Sequence, residues 1–193
     1  AALTNYRDPS KNTVGARSRG GIIPGFLASG ADPAQYGETL YRTREEYNLF
    51  NLVFGSREAL YWFSSCHGTA RPVPPGFHGL SNRDMDTPWP KVEKSRKAFE
   101  AAVKEKLPDD AFFALLKDTE RPPDHLLPDT GVGKEWERLL SPIFIESPTY
   151  GTRCSTLLKI RDDGRIHIIE RSYDLSGPGR KFTDREFTLP GQA

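Results

Sequence analysis

The chain has 193 residues, with 27 basic side chains against 26 acidic and a formal net charge of +1. That balance argues against a dedicated nucleic-acid or anionic-membrane surface, although a neutral total can hold a local patch, and no apolar run approaches the length of a membrane span. One ordinary domain over residues 1–193 is expected, large enough to bury a core without disulfides or metal.

The two cysteines, Cys66 and Cys154, make neither a CxxC pair nor a framework, which points to a reducing, intracellular and cytoplasmic setting. No signal peptide is apparent. Residues 1–6 lack an initiator Met and read as the end of a strand, so upstream sequence is expected to be missing.

Arg19 to Leu27 starts a short helix, and Asp32-Pro33 supplies an N-cap and first position for the next, which runs to about Arg44. Tyr36, Leu40 and Tyr47 space an apolar stripe along it. Tyr47 to Gly55 and Ala59 to Ser65 are β-rich runs around Gly55-Ser56-Arg57-Glu58, a hairpin pattern. Cys66 to Pro90 is proline-rich and loop-like, with one short strand expected at Phe77 to Ser81. Helical patterning begins at Val92 and carries Val92, Phe99 and Val103 on one side. Pro108-Asp109-Asp110 caps another helix through Lys117, a short helix covers Lys134 to Leu140, and Asp162-Asp163-Gly164 joins the strands Arg153–Arg161 and Arg165–Tyr173. A last strand runs from Lys181 to Leu189. Strands at both ends with helices grouped between them give an α+β layered fold.

Four histidines, His67, His78, His125 and His167, lack the spacing of a helical metal pair, and no structural metal is expected. Cys66-His67 could ligate haem iron or act as nucleophile and base, yet neighbours on an extended segment face opposite ways. Arg17 and Arg19 beside a helix start could hold a carboxylate or phosphate. Asn5, Asn82 and Arg153 each stand at a strand end or start, behind Leu-Thr, Leu-Ser and Gly-Thr. Brought together, two amides and a guanidinium would serve an anion or a developing oxyanion. Turn capping and a solvated Arg are the bland alternatives.

Leu3-Thr4-Asn5-Tyr6-Arg7, Asn48 to Val53, Gly79-Leu80-Ser81-Asn82 with Asp86-Thr87-Pro88-Trp89-Pro90-Lys91-Val92, and Tyr150 to Thr156 followed by Glu170-Arg171-Ser172-Tyr173 resemble, in order, the transport and Golgi organisation 2 (NRDE) family. Members begin with Met-Cys and carry Asn-Arg-Asp-Glu soon after; neither is present, and Asn82-Arg83-Asp84 is followed by Met85. The resemblance therefore marks a carboxy-terminal portion. It implies a four-layer αββα sandwich of the N-terminal nucleophile hydrolase type, incomplete at the amino terminus. In cysteine members of that fold, such as bile-salt hydrolases and penicillin acylases, two Asn and a later Arg assist the nucleophile; Asn5, Asn82 and Arg153 resemble them.

The resemblance further implies intracellular haem trafficking, with haem as ligand and haem-acceptor proteins as partners. A cysteine amidohydrolase whose nucleophile lies upstream is one alternative; the chain as given carries no amino-terminal Cys, Ser or Thr and is expected to be inactive. The other is an acyl-coenzyme A or lipid-binding protein, with Arg17 and Arg19 as phosphate contacts. For haem, Trp62, Phe63, Phe77 and Trp89 are candidate walls and Arg153 a candidate cation, set against ordinary core packing of the aromatics.

Overall fold

The computed structural model describes residues 1–174 and 181–191. These form a mixed α+β structure with two antiparallel sheets, as the segregation of strands and helices along the chain predicts. Two compact units divide it: residues 1–93 with 128–134, and residues 94–127 with those from 135 onward. Among the described residues no helix is long and apolar enough to cross a membrane.

In the first unit β1 (Ala2–Asn5), β2 (Phe50–Gly55), β3 (Leu60–Ser64) and β4 (Thr69–Pro72) lie in that order in one sheet. Because side chains alternate along a strand, β2 sends Phe50, Leu52 and Phe54 to one face. There they pack with Phe63 and with Ile22 and Phe26 of α1 (Ile22–Ser29) and Leu40 of α2 (Pro33–Thr43). Phe26 meets Phe54 edge-on at 5.2 Å and Tyr36 at 5.1 Å. Each wholly buried phenyl contributes on the order of 2–3 kcal/mol.

Local chemistry sets the ends of these helices. Asp32 accepts from the Ala34 N–H at 2.8 Å, with Pro33 at the first position of α2. Gly30, left-handed at φ 61°, stops α1. The Tyr36 hydroxyl donates to the Ile22 carbonyl at 2.8 Å, tying α2 to α1.

Two expectations fail in this unit. Tyr47 lies beyond α2, after a 3-10 turn at Arg44–Glu46, and packs against the core from the approach to β2. The strand expected at Phe77 to Ser81 is absent; β4 forms earlier. Ser64 O accepts from the N–H groups of His67 and Gly68, and Gly68 at φ 67° reverses the chain so that Thr69 pairs with Ser64. Pro72 is tolerated because β4 is an edge strand. Gly79 spends its own backbone elsewhere, on Asp86.

α3 (Pro90–Lys104) starts two residues before the apolar pattern, with proline suited to a first turn. Val92 is buried as expected, but Phe99 and Val103 are exposed and Ala102 is the buried residue of the later turns.

In the second unit β5 (Cys154–Ile160), β6 (Ile166–Tyr173) and β7 (Phe182–Leu189) form a meander. Gly164 at φ 77° turns the first hairpin, and Asp163 accepts from the Arg165 N–H at 3.0 Å. Phe113 of α4 (Asp109–Leu116) packs on Leu157 and Ile169. Lys159 Nζ meets both Asp109 oxygens at 2.7 Å, fixing the start of α4. α5 (Lys134–Leu139) matches its expected span to within a residue.

Candidate functional site

The first sheet's other face carries a polar row. Register places Thr4 beside Asn51, Asn51 beside Ser64 and Ser64 beside Thr69, one hydrophilic row across all four strands. Asn51 is fully buried and its carboxamide is the hub of this face. Its Oδ1 accepts from Trp62 Nε1 at 3.2 Å, and its Nδ2 donates to the Arg83 carbonyl at 2.9 Å and to Thr4 Oγ1 at 3.4 Å. Thr4 Oγ1 in turn donates to the Ser81 carbonyl at 2.8 Å. The loop 81–84 is thereby fastened to the sheet.

That loop has a closed base. Asp86, left-handed at φ 58°, gives its N–H to the Gly79 carbonyl at 2.8 Å and takes the Gly79 N–H on Oδ1 at 2.8 Å, while Oδ2 stands 2.6 Å from His78 Nδ1. At the tip, Asn82 Nδ2 donates to the Asn5 carbonyl at 2.9 Å; Arg7 donates from its N–H to the Asn82 carbonyl at 2.7 Å and from Nη2 to Asn82 Oδ1 at 3.1 Å. The Asn82 amide is therefore oriented at both atoms and retains a second N–H. The Asn82 carboxamide thus meets the backbone carbonyl of Asn5, at the end of β1, although no strand leads directly into Asn82.

Two guanidinium groups of these segments each lie over an aromatic ring: Arg7 is 5.3 Å from the Trp89 centroid and Arg83 is 5.0 Å from that of Tyr6. Trp89 thus sits beside the junction. Burial pushes the Tyr6 hydroxyl above its ordinary pKa, helped by a hydrogen bond with Cys66 and the nearby Asp84 charge and opposed by Arg83. His67 Nε2 pairs with Asp84 Oδ1 at 2.8 Å. Cys66 and His67 therefore go to different partners. Among the described residues no group of three or more His, Cys, Asp or Glu side chains could hold a metal ion.

Arg17 and Arg19 are engaged within the fold. Arg17 Nη1 donates to Glu46 at 2.9 Å and its guanidinium lies 5.4 Å from the Tyr47 centroid; Arg19 Nη1 donates to the Leu49 carbonyl at 2.9 Å. Arg153 belongs to the second unit, exposed just before β5, with its carbonyl accepting from the Tyr173 N–H at 2.9 Å.

The second unit holds a cleft of about 670 Å³ lined by Phe113, Ile169 and Phe182 together with Asp109, Asp110, Asp184 and Glu186. Arg171 lies there between the Phe113 and Phe182 rings, at 4.1 and 4.0 Å, and is held by Asp184 at 2.9 and 2.8 Å. Carboxylates outnumber cations on its walls, so it is ill suited to an anion.

A family model described as Transport and Golgi organisation 2 matches residues 1–175. The chain belongs to that family. It is 34% identical over 205 residues to a Transport and Golgi organization protein 2 homolog of Bos taurus, a match covering 98% of this chain and 74% of the relative. The Mus musculus homolog is 30% identical over 204 residues, 97% of this chain and 74% of its own. The Homo sapiens homolog is 30% identical over 187 residues, 89% and 67% respectively.

Within this Transport and Golgi organisation 2 chain, sequence reasoning missed Asn51, Arg7 and Arg83 as members of the site. Asn51 did leave a signal: one amide inside the apolar run Phe50–Phe54 requires buried partners. Arg7 and Arg83 left none, since their stacking on Trp89 and Tyr6 depends on long-range pairing.

Proposed function

We propose that this chain is a carrier of haem, built on a four-layer αββα scaffold of the N-terminal nucleophile hydrolase type and acting in the cytoplasm by handing its ligand to acceptor proteins. The observation that carries the reading is the oriented Asn82 amide, with an N–H to spare, hydrogen-bonded to Arg7 and followed in the chain by Arg83, whose guanidinium stacks on Tyr6. Fixed N–H donors and cations suit an anionic group, and haem presents two propionates on a flat apolar body. Half-buried Trp62 and Trp89 offer aromatic surface in the same unit.

Carriage is favoured over bond cleavage by this chain's own residues. The Cys66 thiol is hydrogen-bonded to Tyr6, His67 is paired with Asp84, and among the described residues neither cysteine is hydrogen-bonded to a histidine. With Arg17 and Arg19 committed to Glu46 and Leu49, nothing favours an acyl-coenzyme A site at that segment.

Titration of the full chain with haem, read by its absorbance band, tests the proposal, with simple amides assayed in parallel. Saturable uptake without turnover, weakened by Asn82→Ala, is the expected result. Amide cleavage would replace the carrier by an amidohydrolase, and retention on immobilised acyl-coenzyme A without haem uptake would replace it by a lipid binder.

A further inference from the structure

We propose that Arg83 is the residue that reads a ligand carboxylate at the β1 junction, so that this site selects free acids over their esters. The inference rests on the reading of that junction as an anion site and gives it a ligand chemistry.

Three observations support it. The Arg83 backbone is pinned, because its carbonyl accepts from the wholly buried Asn51. Its guanidinium is stacked 5.0 Å from the ring of Tyr6, itself 5% exposed, which removes much of the freedom a long side chain would lose on binding. The adjacent carboxylate, Asp84, is hydrogen-bonded to His67. Among the described residues the Arg83 guanidinium has neither an ion pair nor a hydrogen bond. A planar, half-buried cation held this way offers parallel N–H groups matched to a carboxylate, a geometry lysine cannot reproduce.

The test compares haem with haem dimethyl ester on the full chain, in the wild type and in Arg83→Lys and Arg83→Ala. Both variants should weaken haem by about tenfold or more while changing the ester by less than about twofold. Equal losses for acid and ester, or no loss for either, would overturn the inference. A second arm does not need haem: succinate, and separately inorganic phosphate, are titrated while the Arg83 Nε–H signal is followed by 15N NMR. A saturable shift with succinate supports a carboxylate site even where haem fails to bind, in which case the carrier reading alone is lost. No shift with succinate, or a shift with phosphate only, overturns the assignment even where haem binds.

Discussion

Arg7 grips Asn82 twice, through its backbone N–H at 2.7 Å and its guanidinium at 3.1 Å, while Asn82 holds the carbonyl of Asn5 at 2.9 Å. Residues 77 positions apart thus form one rigid corner where β1 ends. A double-mutant cycle on Arg7→Ala and Asn82→Ala should give a coupling of about 1–2 kcal/mol in urea unfolding, as for a charge-assisted hydrogen bond in partial solvent. Strict additivity would mean that the corner is not a unit.

Asn51 and Ser64 are neighbours on the polar row with opposite expected responses. Asn51→Ala leaves the Trp62 N–H and the Arg83 carbonyl without their partner and should cost about 2–4 kcal/mol. Ser64 is 1% exposed and its hydroxyl has no hydrogen bond among the described residues. Ser64→Ala should therefore be neutral or stabilising by about 1 kcal/mol. Chemical denaturation midpoints check both, and a loss at Ser64 equal to that at Asn51 would refute the contrast.

Gly37 faces β4 so closely that a Cβ would stand 2.5 Å from Ala70 Cβ. Helix propensity favours Gly37→Ala by about 1 kcal/mol, but overpacking costs about 1–3 kcal/mol and should win. The melting temperature is expected to fall. Pairing Gly37→Ala with Ala70→Gly should restore it, since that change removes the methyl it strikes.

The Arg171 guanidinium, hydrogen-bonded to Asp184, holds that carboxyl below the usual carboxylate range, against desolvation that would raise it. A depressed folded-state pKa stabilises above the unfolded value of about 3.9 and is lost as pH falls through the lower folded value. Stability of Asp184→Asn should accordingly fall less steeply than that of the wild type as pH drops below about 4. Urea unfolding across the acid range measures this, and parallel pH curves would exclude the pair as a contributor.

Much of the fold was legible along the chain because the deciding forces are local. Asp32-Pro33 marked the start of α2, Asp162-Asp163-Gly164 marked the β5–β6 hairpin, and the grouping of strands at the two ends gave the α+β class. The failures have a common cause. Phe77 to Ser81 has the composition of a strand, yet Gly79 is bonded to Asp86 and the neighbouring β3 edge is taken by β4, whose Thr69 is delivered by the reversal at Gly68. Phe99 and Val103 follow helical periodicity and Phe99 meets the Phe112 ring at 5.6 Å, but period alone does not reveal how deeply a face is buried, and both stay exposed.

The order of amino acids by itself settled where the backbone turns, caps and alternates, and family membership was readable from Leu3-Thr4-Asn5 and Asp86-Thr87-Pro88-Trp89. Tertiary structure alone decided that Asn51 would hold the loop 81–84, that Arg7 would orient Asn82, and that Arg83 would lie over Tyr6. Backbone dihedral preferences and side-chain periodicity act over a few residues and leave a trace in the chain. Hydrogen bonds between residues 32 and 75 positions apart join segments that only the folded chain brings together, so a local pattern can signal that a partner is needed but not which one.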